Sequence, residues 1–468
     1  MTPPDRLAEC LAALAAQLGP GSVVQAEADM AAFATDWRRL FHGRPAAVVL
    51  PRSTAEVSLT LRLCHAAGVA VVPQGGNTGL AGGATPDASG AQIVLSLKRM
   101  DRIVDVDPLA AMIEVEAGCI VQHVQEAAAR AGRLLPVSFA AEGSATIGGI
   151  IATNAGGLNV LRYGMTRSLV LGLEVVLADG TVLDARRALR KDNAGYDLKQ
   201  LFIGSEGTLG IVTGAILRLA PRMTNTETAL LALPDPAAAL AVLQAAQEAL
   251  GETLQACELI SSASLDLVAR HAGLKSPLEP SPWSLLIEAG SCLPLREAME
   301  TFLADCIERD LAADGVLAAS MQQATSLWAL RERITEAEGA EGRSVKHDVS
   351  VPIGRIPAFL EAASDAVLAA VPGAILNLFG HVGDGNIHFN VIPRDDTPAD
   401  DINRIVHGLI STFGGSISAE HGIGQYRVRD LAYCRGPAEL AFATALKKLC
   451  DPENLLNPGK VYPTPTVT

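Results

Sequence analysis

Four glycine-rich clusters between Gln74 and Ile211 constrain the fold of this chain more than any other feature. The first, Gln74-Gly-Gly-Asn-Thr-Gly-Leu-Ala-Gly-Gly83, directly follows a strand-like run, Ala70 to Pro73. A glycine run leaving a strand can present successive backbone N–H groups in a concave turn, which binds a pyrophosphate without basic side chains. It lacks the G-K-[ST] ending of a nucleotide P-loop and is not the G-x-G-x-x-G dinucleotide fingerprint. Three more clusters follow: Gly143-Ser-Ala-Thr-Ile-Gly-Gly149, Thr153-Asn-Ala-Gly-Gly157 and Gly204-Ser-Glu-Gly-Thr-Leu-Gly-Ile211. One such cluster would be ordinary turn chemistry. Four together imply close approach of backbone to one extended ligand.

The rest of the chain sorts around these loops. Residues 46–220 alternate β-branched runs with turns and helical stretches: Ala46 to Leu50 reads as a strand, Thr54 to Ala67 as a helix, and Ile93 to Leu97, Met112 to Glu116, Leu171 to Leu177 and Ile211 to Leu219 as further strands. From Asn225 the texture changes to Ala/Leu-rich helices separated by strands such as Ser284 to Glu288, which makes Pro221 a boundary. A chain of 468 residues exceeds what one hydrophobic core supports, so at least two domains are expected. The expected division is 1–221, 222–430 and a C-terminal segment 431–468 that contains a helix from Ala438 to Leu449.

With 49% hydrophobic and 19% charged residues the chain is globular. A net charge of −14 without a Lys/Arg-rich block argues against sequence-independent nucleic-acid binding. The eight cysteines are scattered, as buried thiols in a reducing compartment would be. The start, Met-Thr-Pro-Pro-Asp-Arg, lacks a signal-peptide pattern, and Leu7 to Leu18 reads as an amphipathic helix. Apolar stretches such as Ala366 to Phe379 are too short and interrupted to span a bilayer. A cytoplasmic protein without a transmembrane segment is expected, with peripheral membrane association left open.

The densest chemistry lies near the C-terminus, in Phe379-Gly-His-Val-Gly-Asp-Gly-Asn-Ile-His-Phe-Asn390 and Ser418-Ala-Glu-His-Gly-Ile-Gly424. The apolar run Ala374 to Phe379, the Gly383-Asp384-Gly385 turn and the alternating Asn386 to Val391 read as a β-hairpin. That geometry places His381 and His388 on facing strands near the turn, and His388 and Asn390 on one face. Two imidazoles with the Glu420 carboxylate make a borderline-soft site for zinc or manganese with coordination positions left open. His421 would remain to move protons. Each histidine alone is an ordinary turn or core-edge residue, and the spacing is no established zinc signature. Asp384 is expected to shape the turn.

Taken in order, Pro73 to Gly79, Ala145-Thr-Ile-Gly-Gly149 with Asn154-Ala-Gly-Gly157, Gly204 to Gly210, Gly380 to His388, Ala419-Glu-His-Gly422 and Asn457-Pro-Gly-Lys460 resemble the FAD-linked D-2-hydroxy acid dehydrogenases, a family of vanillyl-alcohol-oxidase-type flavoproteins. The resemblance runs from about residue 40 to 462. It implies an α+β protein with a two-part FAD-binding domain, closed by the C-terminal segment, and a substrate domain with an antiparallel sheet packed by helices. The residues it implies for FAD are Pro73, Gln74, Gly75, Gly76, Asn77, Thr78, Gly79, Leu80, Ser138, Ala145, Thr146, Gly148, Gly149, Thr153, Asn154, Gly156, Gly157, Glu206, Gly207, Gly210, Ile211 and Asn457. A covalent flavin link in such proteins often comes from a His near the first loop. None stands between His65 and His123, so a non-covalent FAD is expected.

Within the family, Leu327-Trp-Ala-Leu-Arg-Glu-Arg-Ile-Thr335 with Val345-Lys-His-Asp348 is similar to the D-2-hydroxyglutarate dehydrogenases, which use an Arg, a Thr and a Lys at these places around the substrate. The resemblance therefore implies Arg331, Thr335 and Lys346 as substrate contacts, with Asn390 and His421 beside them. Arg331 and Thr335, four apart, are expected on one face of one helix. The expected reaction is oxidation of a D-2-hydroxy acid, D-2-hydroxyglutarate first, to the 2-oxo acid. Metal on His381, His388 and Glu420 would acidify the hydroxyl, His421 would take its proton, and hydride would pass to flavin N5. Alternatives are D-lactate, glycolate or D-malate as substrate, a metal-dependent hydrolase, or a non-catalytic flavin-binding subunit. The electron acceptor stays open among an electron-transfer flavoprotein, a quinone, a cytochrome and oxygen, and the assembly stays open, a homodimer included.

Overall fold

A computed structural model describes residues 4–463; Met1 to Pro3, part of the stretch read against a signal peptide, and 464–468 lie outside the described residues. The chain divides into two compact units, one of Met1–Gly157, Gly164–Arg222 and Glu420–Thr468, the other of Leu158–Tyr163 and Met223–Ala419. The return to the first unit falls at Glu420, earlier than residue 431. The physical reason is a set of backbone anchors: Ile423 and Gly424 donate to the Glu206 carboxylate at 2.8 and 2.9 Å, and Gln425 donates to Ala81 O. Residues 158–163 join the second unit, where the Arg162 guanidinium donates to Gly290 O at 2.6 Å.

The first unit holds two main sheets. In one, the strands Ala47–Val49, Ile93–Ser96 and Val71–Gln74 run parallel, with Val23–Val24 antiparallel at the edge. Ala47, Val48, Val49, Ile93, Val94 and Leu95 are all fully buried, as suits strands covered on both faces. The helix Thr54–Ala67 starts where Ser53 accepts the Glu56 amide, and it buries Val57, Leu61 and Cys64 at helical spacing. The other sheet is antiparallel, in the order Ile103–Asp107, Met112–Glu116, Ile211–Arg218, Val170–Val176 and Val182–Ala185. Leu61, Ile93, Leu95 and Ile113 are at most 1% exposed in one shared core, and burial of each contributes about 1.5–3 kcal/mol.

The second unit is built on a seven-stranded antiparallel sheet. Its order is Asp314–Leu317, Asn225–Leu233, Trp283–Ser291, Leu254–Ser261, Ile375–His381, Asn386–Ile392 and Asp348–Ser350. Leu230, Ile260, Leu286 and Phe379 from these strands share a core with Leu267, Leu327, Leu330 and Ile334 from helices. The register decides which polar side chains meet. Glu258 lies opposite His381, Phe379 opposite His388, and His388 opposite Asp348, across successive strand pairs.

Candidate functional site

The glycine clusters of the first unit converge through their backbones. Gly204 and Glu206 donate to Ile151 O and Ala152 O, so the fourth cluster sits on the helix that begins in the second. Asn457 donates from its side chain to Gly83 O and Glu206 O at 2.9 and 2.8 Å, and from its amide to Val71 O, pinning the C-terminal segment to the first and fourth clusters. A Cβ on Gly75 would meet Thr146 Oγ1 at 2.3 Å, and one on Gly157 would meet Ser138 O at 2.2 Å. Among the described residues, the backbone amides from Gly75 to Leu80 donate to no protein acceptor. Gly76 and Gly79 are exposed, and the Gly76–Asn77 stretch borders a cavity of about 440 Å³ that Thr35, Asp36, Trp37 and Arg39 also line. Unsatisfied, accessible amides on a glycine loop are the donor set a dinucleotide pyrophosphate needs, so the loop fits FAD.

Glu206, placed by resemblance among the flavin contacts, has its carboxylate committed to Ile423 and Gly424. It holds φ 51°, in the left-handed region, and burial pushes its carboxyl up. A Cβ on Gly422, itself at φ 74°, would lie 2.7 Å from Glu206 Oε1. Glu206 therefore fixes the segment that carries Glu420 and His421.

In the second unit the predicted hairpin forms, with strands Ile375–His381 and Asn386–Ile392. Asp384 shapes its turn by accepting the Asn386 amide at 3.0 Å. His381 is buried, and its Nδ1 lies 2.5 Å from Glu258 Oε1; the other Glu258 oxygen accepts from Arg331 Nε at 2.7 Å. Burial alone would raise the Glu258 carboxyl, but the His381 ring and the Arg331 guanidinium outweigh it and hold it down to about 2. Phe379 lies under the Arg331 guanidinium at 4.5 Å and beside the His388 ring at 4.8 Å. The His381 and His388 rings are 5.7 Å apart, edge to face. Asp348 Oδ1 accepts from Asn386 at 2.8 Å and stands 3.9 Å from His388 Nδ1.

Glu420 follows Ala419, whose amide donates to Asp348 O at 3.1 Å, so the chain itself delivers Glu420 beside the strand Asp348–Ser350. His381, His388 and Glu420 are one group of side chains that could hold a metal ion, and Asp348, Glu420 and His421 another. Two imidazole nitrogens and a carboxylate oxygen fit zinc or manganese, and a carboxylate at Nδ1 leaves the Nε2 lone pair of His381 for the ion.

Arg331 and Thr335 do not share one helix. Met321–Glu332 ends at Arg333 and a second helix, Ile334–Glu341, begins, leaving Arg331 buried and Thr335 exposed. Lys346 Nζ lies 3.5 Å from Glu338 Oε2. The buried Glu338 carboxylate also accepts from Asn390 Nδ2 at 2.9 Å and from Ser344, while Asn390 Oδ1 accepts the His347 amide. Sequence reasoning missed Glu258, Glu338 and Asp348. The available signal was an acidic residue inside an apolar run, as in Ala256-Cys-Glu-Leu-Ile260, where a strand buried on both faces leaves a carboxylate no solvent.

These features place the chain in the fold class of vanillyl-alcohol-oxidase-type flavoproteins: an α+β, FAD-linked oxidoreductase. Residues 45–186 match the FAD binding domain family, and 222–461 the C-terminal domain of FAD linked oxidases. p-Cresol methylhydroxylase shares the fold at a TM-score of 0.75 and 17% identity, over 98% of this chain and 97% of that one. Alkyldihydroxyacetonephosphate synthase does so at 0.73 and 17%, over 98% and 86%. The chain belongs to the FAD-linked D-2-hydroxy acid dehydrogenase family. It is 39% identical to the mitochondrial D-2-hydroxyglutarate dehydrogenase of Bos taurus, over 95% of this chain and 82% of the bovine protein. It is 41% identical to D-2-hydroxyglutarate dehydrogenase of Xanthomonas citri pv. viticola, over 93% of each. The mitochondrial location in the bovine name leaves the cytoplasmic expectation without support. Among the described residues no helix is long and apolar enough to cross a membrane.

Proposed function

We propose that this protein oxidises D-2-hydroxyglutarate to 2-oxoglutarate, with FAD held non-covalently and a divalent cation held by His381, His388 and Glu420. The observation that carries the reading is the Glu258 carboxylate hydrogen-bonded to both His381 and Arg331, which ties a metal ligand to a substrate-binding guanidinium. When bound, FAD supplies the hydride acceptor at N5, and zinc or manganese supplies the Lewis acidity that makes a coordinated hydroxyl easier to deprotonate.

The protein's own side chains do the remaining work. Arg331 keeps Nε on Glu258 and offers its terminal nitrogens to a substrate carboxylate, a fork that Lys cannot reproduce. Lys346, anchored at Glu338, takes the distal carboxylate, which is the basis for choosing a dicarboxylate over D-lactate or glycolate; D-malate, a dicarboxylate one methylene shorter, differs only in reach. Thr335 and the second amide hydrogen of Asn390 are further substrate contacts. His421 takes the hydroxyl proton on a ring nitrogen as the Cα–H bond breaks. The amides from Gly75 to Leu80 hold the pyrophosphate, and the absence of a histidine between His65 and His123 supports the non-covalent reading. The test is anaerobic bleaching of the purified yellow protein by a panel of D-2-hydroxy acids. Fastest bleaching by D-2-hydroxyglutarate is expected, and equal or faster bleaching by D-lactate overturns the substrate assignment.

A further inference from the structure

Glu258 is a wholly buried carboxylate in the middle of the apolar strand Leu254–Ser261, and each of its oxygens is used once. One faces His381 Nδ1 at 2.5 Å, the other Arg331 Nε at 2.7 Å. An ionised carboxylate only accepts hydrogen bonds, so His381 must carry its proton on Nδ1, which leaves the Nε2 lone pair outward. The same carboxylate fixes the guanidinium edge-on, and Phe379 supports it from the face at 4.5 Å. The strand register sets these contacts, since Glu258 pairs with His381 and Ile260 with Phe379.

We propose that Glu258 is the positioning residue of the site: by accepting from both His381 and Arg331 it selects the metal-binding tautomer of His381 and couples that choice to the placing of Arg331. This rests on the metal reading above. An isosteric amide cannot serve both partners. With its oxygen on Arg331, a Gln at this position turns its NH₂ group toward His381 Nδ1, which must then accept, so the proton moves to Nε2 and blocks the metal-binding nitrogen. With its oxygen on His381, the NH₂ group meets the Arg331 N–H, donor against donor. The first arrangement prevails, because the guanidinium has only donors and keeps its protons while the imidazole can change tautomer, so the damage falls on the metal half of the site.

The experiment compares zinc affinity of metal-stripped, FAD-loaded wild type and Glu258→Gln by competition with a chromophoric chelator, alongside flavin content and thermal midpoint. Glu258→Gln should bind zinc about 10- to 100-fold more weakly, the range for losing a carboxylate behind a metal-ligating histidine. Flavin content should be unchanged, and excess zinc should restore turnover, which it cannot do for a protein that is merely misfolded. Glu258→Asp keeps the charge but is too short to reach both partners, so it should fall between the two and gives the answer if Glu258→Gln does not fold. Zinc bound by wild type and by a folded Glu258 variant with equal affinity overturns the positioning role alone. Wild type that binds no zinc overturns the metal reading and this inference together.

Discussion

Replacing Lys346 with Met tests the substrate assignment most directly, because the structure separates what the cation does for the fold from what it would do for the substrate. Lys346 lies 3.5 Å from Glu338, a long contact, and its side chain is 37% exposed, so solvent screens the pair and it contributes less to stability than a fully buried ion pair would. Glu338 is not stranded by the change, since Asn390 and Ser344 still donate to it. A charge-assisted hydrogen bond to a distal carboxylate is worth about 1.5 to 3 kcal/mol, so kcat/KM for D-2-hydroxyglutarate should fall roughly 10- to 150-fold. D-Lactate has no distal carboxylate and should lose far less. The assay is the initial rate of reduction of an artificial electron acceptor with each acid, with flavin content and thermal midpoint as controls. An equal loss on both acids would mean that Lys346 serves the shared carboxylate or the fold, and the dicarboxylate assignment would lose its main support.

Four further outcomes are expected. His381→Ala or His388→Ala should abolish zinc binding and turnover while the flavin spectrum persists, because separate residues hold the two groups; metal-free protein with undiminished kcat would return both histidines to a structural role. His421→Ala should keep FAD and slow flavin reduction by roughly 10² to 10⁴; zinc lost instead would make His421 a ligand in the grouping with Asp348 and Glu420. Gly76→Val should yield protein without FAD, since the new Cβ would lie 2.0 Å from Ser144 O and must push the loop out of shape; a normal flavin content would show that the loop relaxes freely. Lys460 is buried, which lowers its pKa to about 8, below the usual value of about 10.4. A lowered lysine costs stability in full below the folded pKa, and that cost is relieved as pH rises from about 8 to about 10.4. Against Lys460→Met, wild type should therefore gain relative stability across that window, on the order of 3 kcal/mol by urea unfolding, and a flat difference refutes the assignment.

Much of the fold was legible because local chemistry and tertiary structure agree. Thr54–Ala67 is delimited by a capping Ser53 and a terminal Gly68, and Met112–Glu116 by alternation, so both could be placed from the residues. The hairpin carrying His381 and His388 was readable from an apolar run, a Gly-Asp-Gly turn and an alternating run. The glycine clusters announced open backbone donors before any contact was seen. The helix break at Arg333 was not readable, because Arg331 to Thr335 contains no Gly or Pro and its two halves are separated by what each buries. Glu258, Glu338 and Asp348 were hidden for a related reason. A single acidic residue carries no periodic signal, and its role depends on partners 123, 52 and 38 positions away in the chain. The sequence by itself determined most element types, the glycine loops and the clustered histidines, all set by nearest neighbours and side-chain chemistry. Only the tertiary structure decided which carboxylate stands behind which ligand, because that is fixed by strand register, and register is a property of the whole sheet.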